Sequence, residues 1–288
     1  MCQTLIRRSF LALINELALL YVLLGLGFTI APFLSNCFFL GGSNLYRWAH
    51  LISLAILGVG ALIKIRFLSL AWPAFCLFGA GLFLAKNFTT LKSLRGIAGG
   101  IPFTFSLISA LWFVAAVHDW QLLGYDPTWS LYASLHGTFL GWIFVGCLAA
   151  LAKRGPHRNF NLSACFLSFA FFLLVAFGID GVPIIKRIGV VGFSLLMPLS
   201  IGAYAATVKS RAARAFIGLS GAAIISSMGF ALLNEFWVGM PKMLGGFPLM
   251  VLFHGVLNAV LAAPFFFFAI RAEDAGRSRV LARYGKGT

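Results

Sequence analysis

The feature that most constrains this chain is a series of apolar runs, each about twenty residues long, that follow one another along almost its whole length. An α-helix rises about 1.5 Å per residue, so each run is long enough to cross the hydrocarbon core of a bilayer. A transmembrane β-barrel would show shorter runs of alternating polarity instead. The pattern therefore predicts an all-α fold, a polytopic bundle of transmembrane helices.

Nine such runs are present, and we expect between eight and ten membrane spans. Hydrophobic residues make up 61% of the chain and charged residues 10%, which leaves too little polar surface to cover a water-soluble globule. Residues 1–270 are predicted to form a single transmembrane domain, followed by a basic cytoplasmic tail at 271–288. The predicted spans are 9–31, 47–63, 67–85, 97–117, 131–152, 160–179, 184–206, 213–233 and 247–270.

The Lys and Arg residues are distributed unevenly between the two sides of this arrangement. Fifteen of the 22 fall on one side and seven on the other, which places the C-terminus in the cytoplasm. The first three spans fit this bias least well, since Arg7 and Arg8 would lie outside. The net charge of +15 comes from these clusters beside the spans, so nucleic-acid binding is not expected.

Small residues recur on three of the predicted helices and provide faces for close packing. Packing within the chain is the simplest use of these faces, and a homo-oligomer is the alternative. The residues are Gly96 and Gly100, Gly137 and Gly141, and Gly218 with Gly221.

Several acidic and aromatic residues fall on the predicted outer side of the membrane. Tyr132 is one of the aromatic residues at this boundary. The positive-inside bias and the interfacial aromatic belt explain both groups without a functional site. The acids after the third span are Asp119, Asp126, Asp180 and Glu235.

Two histidines lie inside the predicted apolar slab. His136 and His254 are each expected roughly 8 to 10 Å below the outer boundary, and Asn258 follows His254 on the same helix face. Because facing lipid would cost a few kcal/mol for each polar side chain, they should face the bundle interior or a cavity. Both helices run in the same direction, so we expect them to flank one outward-facing vestibule. Glu16, early in the first span, is a further candidate carboxylate.

Three functions are compatible with such a vestibule. In the leading hypothesis His136, His254 and Asn258 line the polar cavity of a small-molecule transporter or permease, because imidazoles exchange protons near neutral pH. A proton or cation contact would come from one of the outer acids, Glu235, Asp180, Asp119 or Asp126.

In the second hypothesis His136 and His254 hold a divalent metal, such as zinc or iron, in a membrane-embedded enzyme acting on a lipid or isoprenoid. In the third, the histidines only join helices, and the protein is a non-catalytic assembly factor. No cofactor is predicted, and an enzyme is less favoured than a transporter. The expected partners are the lipid bilayer and a small-molecule or lipid substrate.

The segments 123–127, 133–136 and 252–259 resemble the YndJ-like family of bacterial multi-pass membrane proteins, over about residues 115–270. The family's motif at the head of the first helix is His-Phe-His-Tyr. Its second histidine corresponds to His136, while Ser134 stands in place of the first. The resemblance implies a bacterial cytoplasmic-membrane protein, in a family sometimes described as transporters. It also groups Asp126 with His136, His254 and Asn258.

Overall fold

The computed structural model describes residues 2–244 and 247–284, with side chains for 15–179, 181–244 and 247–277. Nine helices in this part of the chain are long and apolar enough to cross a membrane, as the sequence predicts. Seven of them are α1 (Cys2–Phe38), α2 (Asn44–Ile63), α3 (Ala71–Asn87), α4 (Leu94–Val117), α6 (Arg158–Asp180), α7 (Pro183–Ala205) and α8 (Arg211–Phe236). The span that contains α3 begins with a 3-10 helix at Arg66–Leu70 and has 22 residues in all.

The other two spanning helices, α5 and α9, change their hydrogen-bond pattern along their length. In α5, α-helical Pro127–His136 and Val145–Arg154 are separated by the π-helical segment Gly137–Phe144. α9 begins with the π-helical segments Met250–Gly255 and Leu257–Ala262 and continues as α-helical Ala263–Tyr284. π-Helical turns are rare in proteins and occur frequently at functional sites.

α5 is the central helix of the bundle. In its most apolar window 94% of the residues are buried inside the protein, against 61% or less in the other eight described spans. It packs against α1, α4, α6 and α9. The remaining spans present more of their surface outward, where apolar side chains would meet lipid.

Local sequence sets the starts of two central helices. Ser93 accepts a hydrogen bond from the backbone N–H of Gly96 at 3.1 Å and so caps α4. Asp126 accepts one from the N–H of Trp129 at 2.9 Å, and Pro127 occupies the first turn of α5. These side chains satisfy amides that have no partner within the helix, and proline suits the first turn because it lacks an N–H.

The first predicted span, 9–31, ends too early. α1 continues through Pro32 to Phe38, and its apolar part is Asn15–Phe38. Proline removes one backbone donor, but membrane helices tolerate this where neighbouring helices surround the bend, and Pro32 is buried. The side chains of Arg7 and Arg8 lie outside the described residues.

The segment predicted as a separate tail from 271 continues α9 as a helix to Tyr284. Glu273 in this extension accepts hydrogen bonds from the backbone N–H groups of Lys209 and Ser210, at 3.1 and 2.9 Å. These residues immediately precede α8, so the carboxylate lies at the positive end of that helix. Glu273 therefore fixes the end of α9 to the start of α8.

Two of the small-residue positions bring α5 close to α4. A Cβ atom on Gly141 would overlap the Phe105 ring, and one on Gly137 would lie 3.1 Å from the Cβ of Ser109. Within the described chain this face is therefore occupied by α4. Gly218 on α8 is different, because a Cβ there would meet no atom within 4 Å.

Replacing Gly141 with alanine should destabilise the protein by about 1 to 3 kcal/mol, because the added methyl group overpacks the contact with Phe105. We expect a lower Tm for the purified protein in detergent. Gly218→Ala is the matched control and should unfold at the wild-type temperature or slightly above it. Equal Tm values for the two variants would contradict the described packing of α5 on α4.

Candidate functional site

His136 and His254 meet between α5 and α9. Their ring centroids are 5.9 Å apart, and the ring planes are inclined by 29°. His254 is buried and His136 is half-buried. Two imidazoles from helices that start 123 residues apart in the sequence are therefore stacked inside the bundle.

A backbone carbonyl orients each imidazole. Nδ1 of His136 lies 2.8 Å from the carbonyl oxygen of Tyr132, and Nδ1 of His254 lies 3.1 Å from that of Ser227. Because a carbonyl oxygen can only accept a hydrogen bond, we assign the ring hydrogen to Nδ1 in both residues. Nε2 of each neutral ring then carries a lone pair that can accept a proton or a hydrogen bond.

Asn258 extends the polar group by one turn along α9. Its amide nitrogen lies 3.4 Å from Nε2 and 3.5 Å from Nδ1 of His254, so the amide packs against the imidazole ring. The side chain is only 5% exposed, and its oxygen Oδ1 has no hydrogen-bond partner among the described residues. An unsatisfied buried polar atom costs about 1 to 3 kcal/mol, so this oxygen marks a position suited to a polar ligand.

A carboxylate lies at the other end of the same group. The hydroxyl of Tyr132 donates a hydrogen bond to Glu16 of α1, while the carbonyl of Tyr132 accepts the one from His136. Glu16 is half-buried and forms none of the ion pairs in the described part of the chain. We call the resulting series the polar file, which consists of Glu16, Tyr132, His136, His254 and Asn258.

Two of the predicted acids are engaged elsewhere at the same end of the bundle. Asp119 forms an ion pair with Arg66, which joins the loop after α4 to the turn before α3. Glu235 pairs with Lys186 at 3.0 Å and with Arg187 at 3.3 Å, which joins α8 to α7. In the described residues the hydrogen bonds and ion pairs of both carboxylates therefore tie helix ends together rather than reach the histidines.

The other two predicted acids lie close to helix ends. Asp126 caps α5 through its hydrogen bond to the backbone of Trp129. This contact explains why an acid directly precedes Pro127 in the sequence. Asp180 ends α6, and its side chain lies outside the described residues.

The side chains around the histidines supply few metal ligands. Within the described residues no group of three or more His, Cys, Asp or Glu side chains is placed to hold a metal ion. Zinc sites in proteins usually have three or four protein ligands. With both Nδ1 atoms bonded to carbonyls, His136 and His254 would each offer only Nε2. The arrangement suits hydrogen bonding and proton exchange better than tight metal binding.

Sequence reasoning missed Ser227 and the role of Tyr132. The Oγ atom of Ser227 lies 3.0 Å from Nδ1 of His254, in addition to the contact from its carbonyl. The sequence places Tyr132 only in the interfacial aromatic belt. Its position four residues before His136 is a signal that could have linked the two, since residues four apart share a helix face. Ser227 has no comparable signal in an apolar run that contains several serines.

These features define a polytopic α-helical membrane protein with an intramembrane polar site between its central helix and α9. A family model described as YndJ-like protein matches residues 44–262, and the chain belongs to this family. The matched region includes His136, His254 and Asn258, whereas Glu16 precedes it. No curated protein and no solved structure matches the chain.

Replacing Asn258 with leucine tests whether this amide serves binding or stability. The variant loses an unsatisfied buried oxygen and keeps a similar volume, so the free energy of unfolding should be unchanged or higher. Ser220→Ala is the comparison, because its hydroxyl donates a 2.6 Å hydrogen bond to Ala262, and its loss should cost about 1 kcal/mol. Thermal unfolding in detergent measures both. A larger loss of stability for Asn258→Leu than for Ser220→Ala would assign Asn258 a structural role.

Proposed function

We propose that this chain is a proton-coupled transporter of a small molecule in the bacterial cytoplasmic membrane, and that the polar file is its proton- and substrate-binding site. The observation that carries the proposal is the stacked pair of imidazoles, His136 and His254, inside the bundle. Ionisable side chains within a membrane are expensive, and they are typical of substrate and proton pathways.

The histidine pair is suited to hold a single proton. At a ring separation of 5.9 Å, two imidazolium ions would repel each other by about 3 kcal/mol for an effective dielectric constant of about 20. One proton on Nε2 of either ring meets no such repulsion. Gain or loss of this proton changes the charge of the histidine pair and therefore its affinity for a polar substrate. A proton-driven transporter needs this coupling between proton binding and substrate binding.

Glu16 is suited to exchange protons at the outer end of the file. Its carboxylate accepts the hydrogen bond from Tyr132, and the backbone of Tyr132 holds His136. An ionised carboxylate can only accept, whereas a protonated one also donates. Uptake of a proton by Glu16 therefore changes the hydrogen bond that fixes Tyr132, directly beside the histidine pair.

The π-helical segments support a moving site. One begins directly after His136, and the two in α9 contain His254 and Asn258. Transporters commonly bind substrates where helices depart from regular α-helical geometry. A local change between π and α hydrogen bonding would rotate each polar side chain relative to the rest of its helix. We infer that such a change alternates access to the site.

The proposed orientation places the Glu16 end of the polar file outside the cell. Fourteen of the 21 Lys and Arg residues in 2–244 and 247–284 belong to the opposite end of the nine-helix arrangement, which the positive-inside bias assigns to the cytoplasm. The C-terminus would then be cytoplasmic, and substrate would enter beside Glu16.

Reconstituted vesicles with a trapped pH-sensitive dye test the role of the histidines. We expect proton flux that depends on an added solute, drawn from a panel of amino acids, sugars, nucleosides and organic acids. His136→Gln and His254→Gln should each lower this flux by about 100-fold, the usual effect of losing a proton-transfer group. His157→Gln, in an exposed loop, should leave it unchanged.

Two results would contradict the proposal. One is wild-type protein that gives no solute-dependent flux with any member of the panel. The other is full flux in both histidine variants. Stoichiometric metal in the purified protein that is lost in these variants would favour a metal-dependent enzyme. Variants that only lower the Tm would favour an assembly factor.

Glu16→Gln tests the outer end of the file. Glutamine keeps an acceptor for Tyr132 but cannot ionise, so the protein should accumulate normally while flux loses its dependence on outer pH. Glu235→Gln removes an acid that pairs with Lys186 and Arg187, and flux in this variant should keep the wild-type pH profile. The reverse pattern would assign proton exchange to Glu235 rather than Glu16.

A further inference from the structure

A second polar region lies at the end of the bundle opposite the polar file. A cavity of about 140 Å³ opens there between the α1–α2 loop, α3, α4 and the end of α5. This volume is many times the roughly 15 Å³ that one water molecule needs. Its lining consists of Phe39, Phe83, Asn87, Thr90, Ser93, Arg95, Gly96, Gly99, Ala149 and Lys153.

The charges around the cavity are all positive. Arg95 and Lys153 contribute to the lining, and no acidic residue does. In the described part of the chain neither cation belongs to an ion pair, and Arg95 contacts only the amide oxygen of Asn159, at 3.1 Å. Two uncompensated cations that meet at one cavity create a positive potential that favours an anion.

The first turn of α4 adds to this potential. Arg95 and Gly96 belong to that turn, and the N-terminus of a helix carries a partial positive charge. Gly96 also packs directly against the carbonyl group of Thr90, where a Cβ atom would overlap. This close contact holds the first turn of α4 beside the cavity, where the partial positive charge of the helix end acts on it.

Asn87 supplies a side-chain amide to the lining of the same cavity. Its amide nitrogen donates to the carbonyl oxygens of Phe39 and Phe83, at 3.4 and 3.1 Å, which fixes the orientation of the amide. With the nitrogen bonded in this way, the oxygen Oδ1 remains available as an acceptor in the lining of the cavity. The cavity thus combines cations for an anion with an acceptor for a nearby hydroxyl group.

The position of these residues points to a lipid headgroup. Asn87 ends α3, Arg95 is the second residue of α4 and Lys153 lies one residue before the end of α5, so the polar lining is level with the ends of the spans. Phe39 and Phe83 provide an apolar wall beside it. Basic pockets between transmembrane helices at this level are typical binding sites for phosphate-bearing headgroups.

We propose that this cavity binds a phosphate group carried by an anionic phospholipid. The phosphate would lie between Arg95 and Lys153, with a headgroup hydroxyl donating to Asn87 and the first lipid carbons against Phe39 and Phe83. The site shares no residue with the polar file and does not depend on the transport proposal. Inorganic phosphate offers the same anionic chemistry from a soluble source.

Thermal unfolding of the purified full chain in neutral detergent tests the proposal. The additions are phosphatidylglycerol, phosphatidylcholine and inorganic phosphate, at matched ionic strength. Phosphatidylglycerol should raise the Tm by several degrees because it binds the folded state, whereas phosphatidylcholine should not. The rise should be lost in the double variant R95Q/K153Q.

The control is the double variant K92Q/R211Q, which removes the same charge from the same end of the bundle but not from the cavity lining. The Tm of this control should still rise on addition of phosphatidylglycerol. Native mass spectrometry should show phosphatidylglycerol bound to wild type and to the control but not to R95Q/K153Q. Equal stabilisation by phosphatidylcholine, or an unchanged rise in R95Q/K153Q, would overturn the proposal. A rise with inorganic phosphate alone, lost in R95Q/K153Q, would overturn the lipid assignment and identify a soluble phosphate as ligand.

Discussion

Internal hydrogen bonding of the backbone is the constraint on which this structure depends, because hydrocarbon offers no partner for an exposed amide or carbonyl. The described spans meet it with helices, and the π-helical segments of α5 and α9 also keep their bonds inside the helix while changing its geometry. Helix backbone also orients the histidines. The carbonyl of Tyr132 accepts a hydrogen bond from His136, and that of Ser227 accepts one from His254. The polar site is thus held by backbone carbonyls of the helices as well as by side chains.

Much of this arrangement can be predicted from the sequence. The length of each apolar run predicts a span, the order of the spans predicts their direction, and the position of a residue within its run predicts its depth in the membrane. His136 and His254 are predicted to lie at similar depths on helices that run in the same direction, so their side chains are expected to be neighbours. Their ring centroids are 5.9 Å apart in the structure. The pairing of Glu235 with Lys186 could not be predicted, since it depends on how two helix ends meet in space. The π-helical segments and the contact to Ser227 also depend on tertiary packing. They have no recognisable pattern in the amino-acid sequence.

The two polar regions lie at opposite ends of the same central helix. α5 carries His136 in its first half and Lys153 at its far end, and its surface is almost entirely buried between them. One region combines a carboxylate with imidazoles, whereas the other contains only cations and neutral groups. This chemical asymmetry matches the uneven distribution of Lys and Arg along the chain, so the two ends of the molecule differ in charge.

The hydrogen bonds that Glu273 accepts from the residues before α8 have a consequence for biogenesis. They connect α8 to the end of α9, so they form only after α9 has left the ribosome. His254 is synthesised 118 residues after His136, which at about 5 to 20 residues per second is an interval of roughly 6 to 24 s. During this interval α5 carries His136 without its neighbour, because His254 has not yet been synthesised. Pairing of the histidines therefore belongs to the late steps of membrane insertion, after the scaffold around α5 has been laid down.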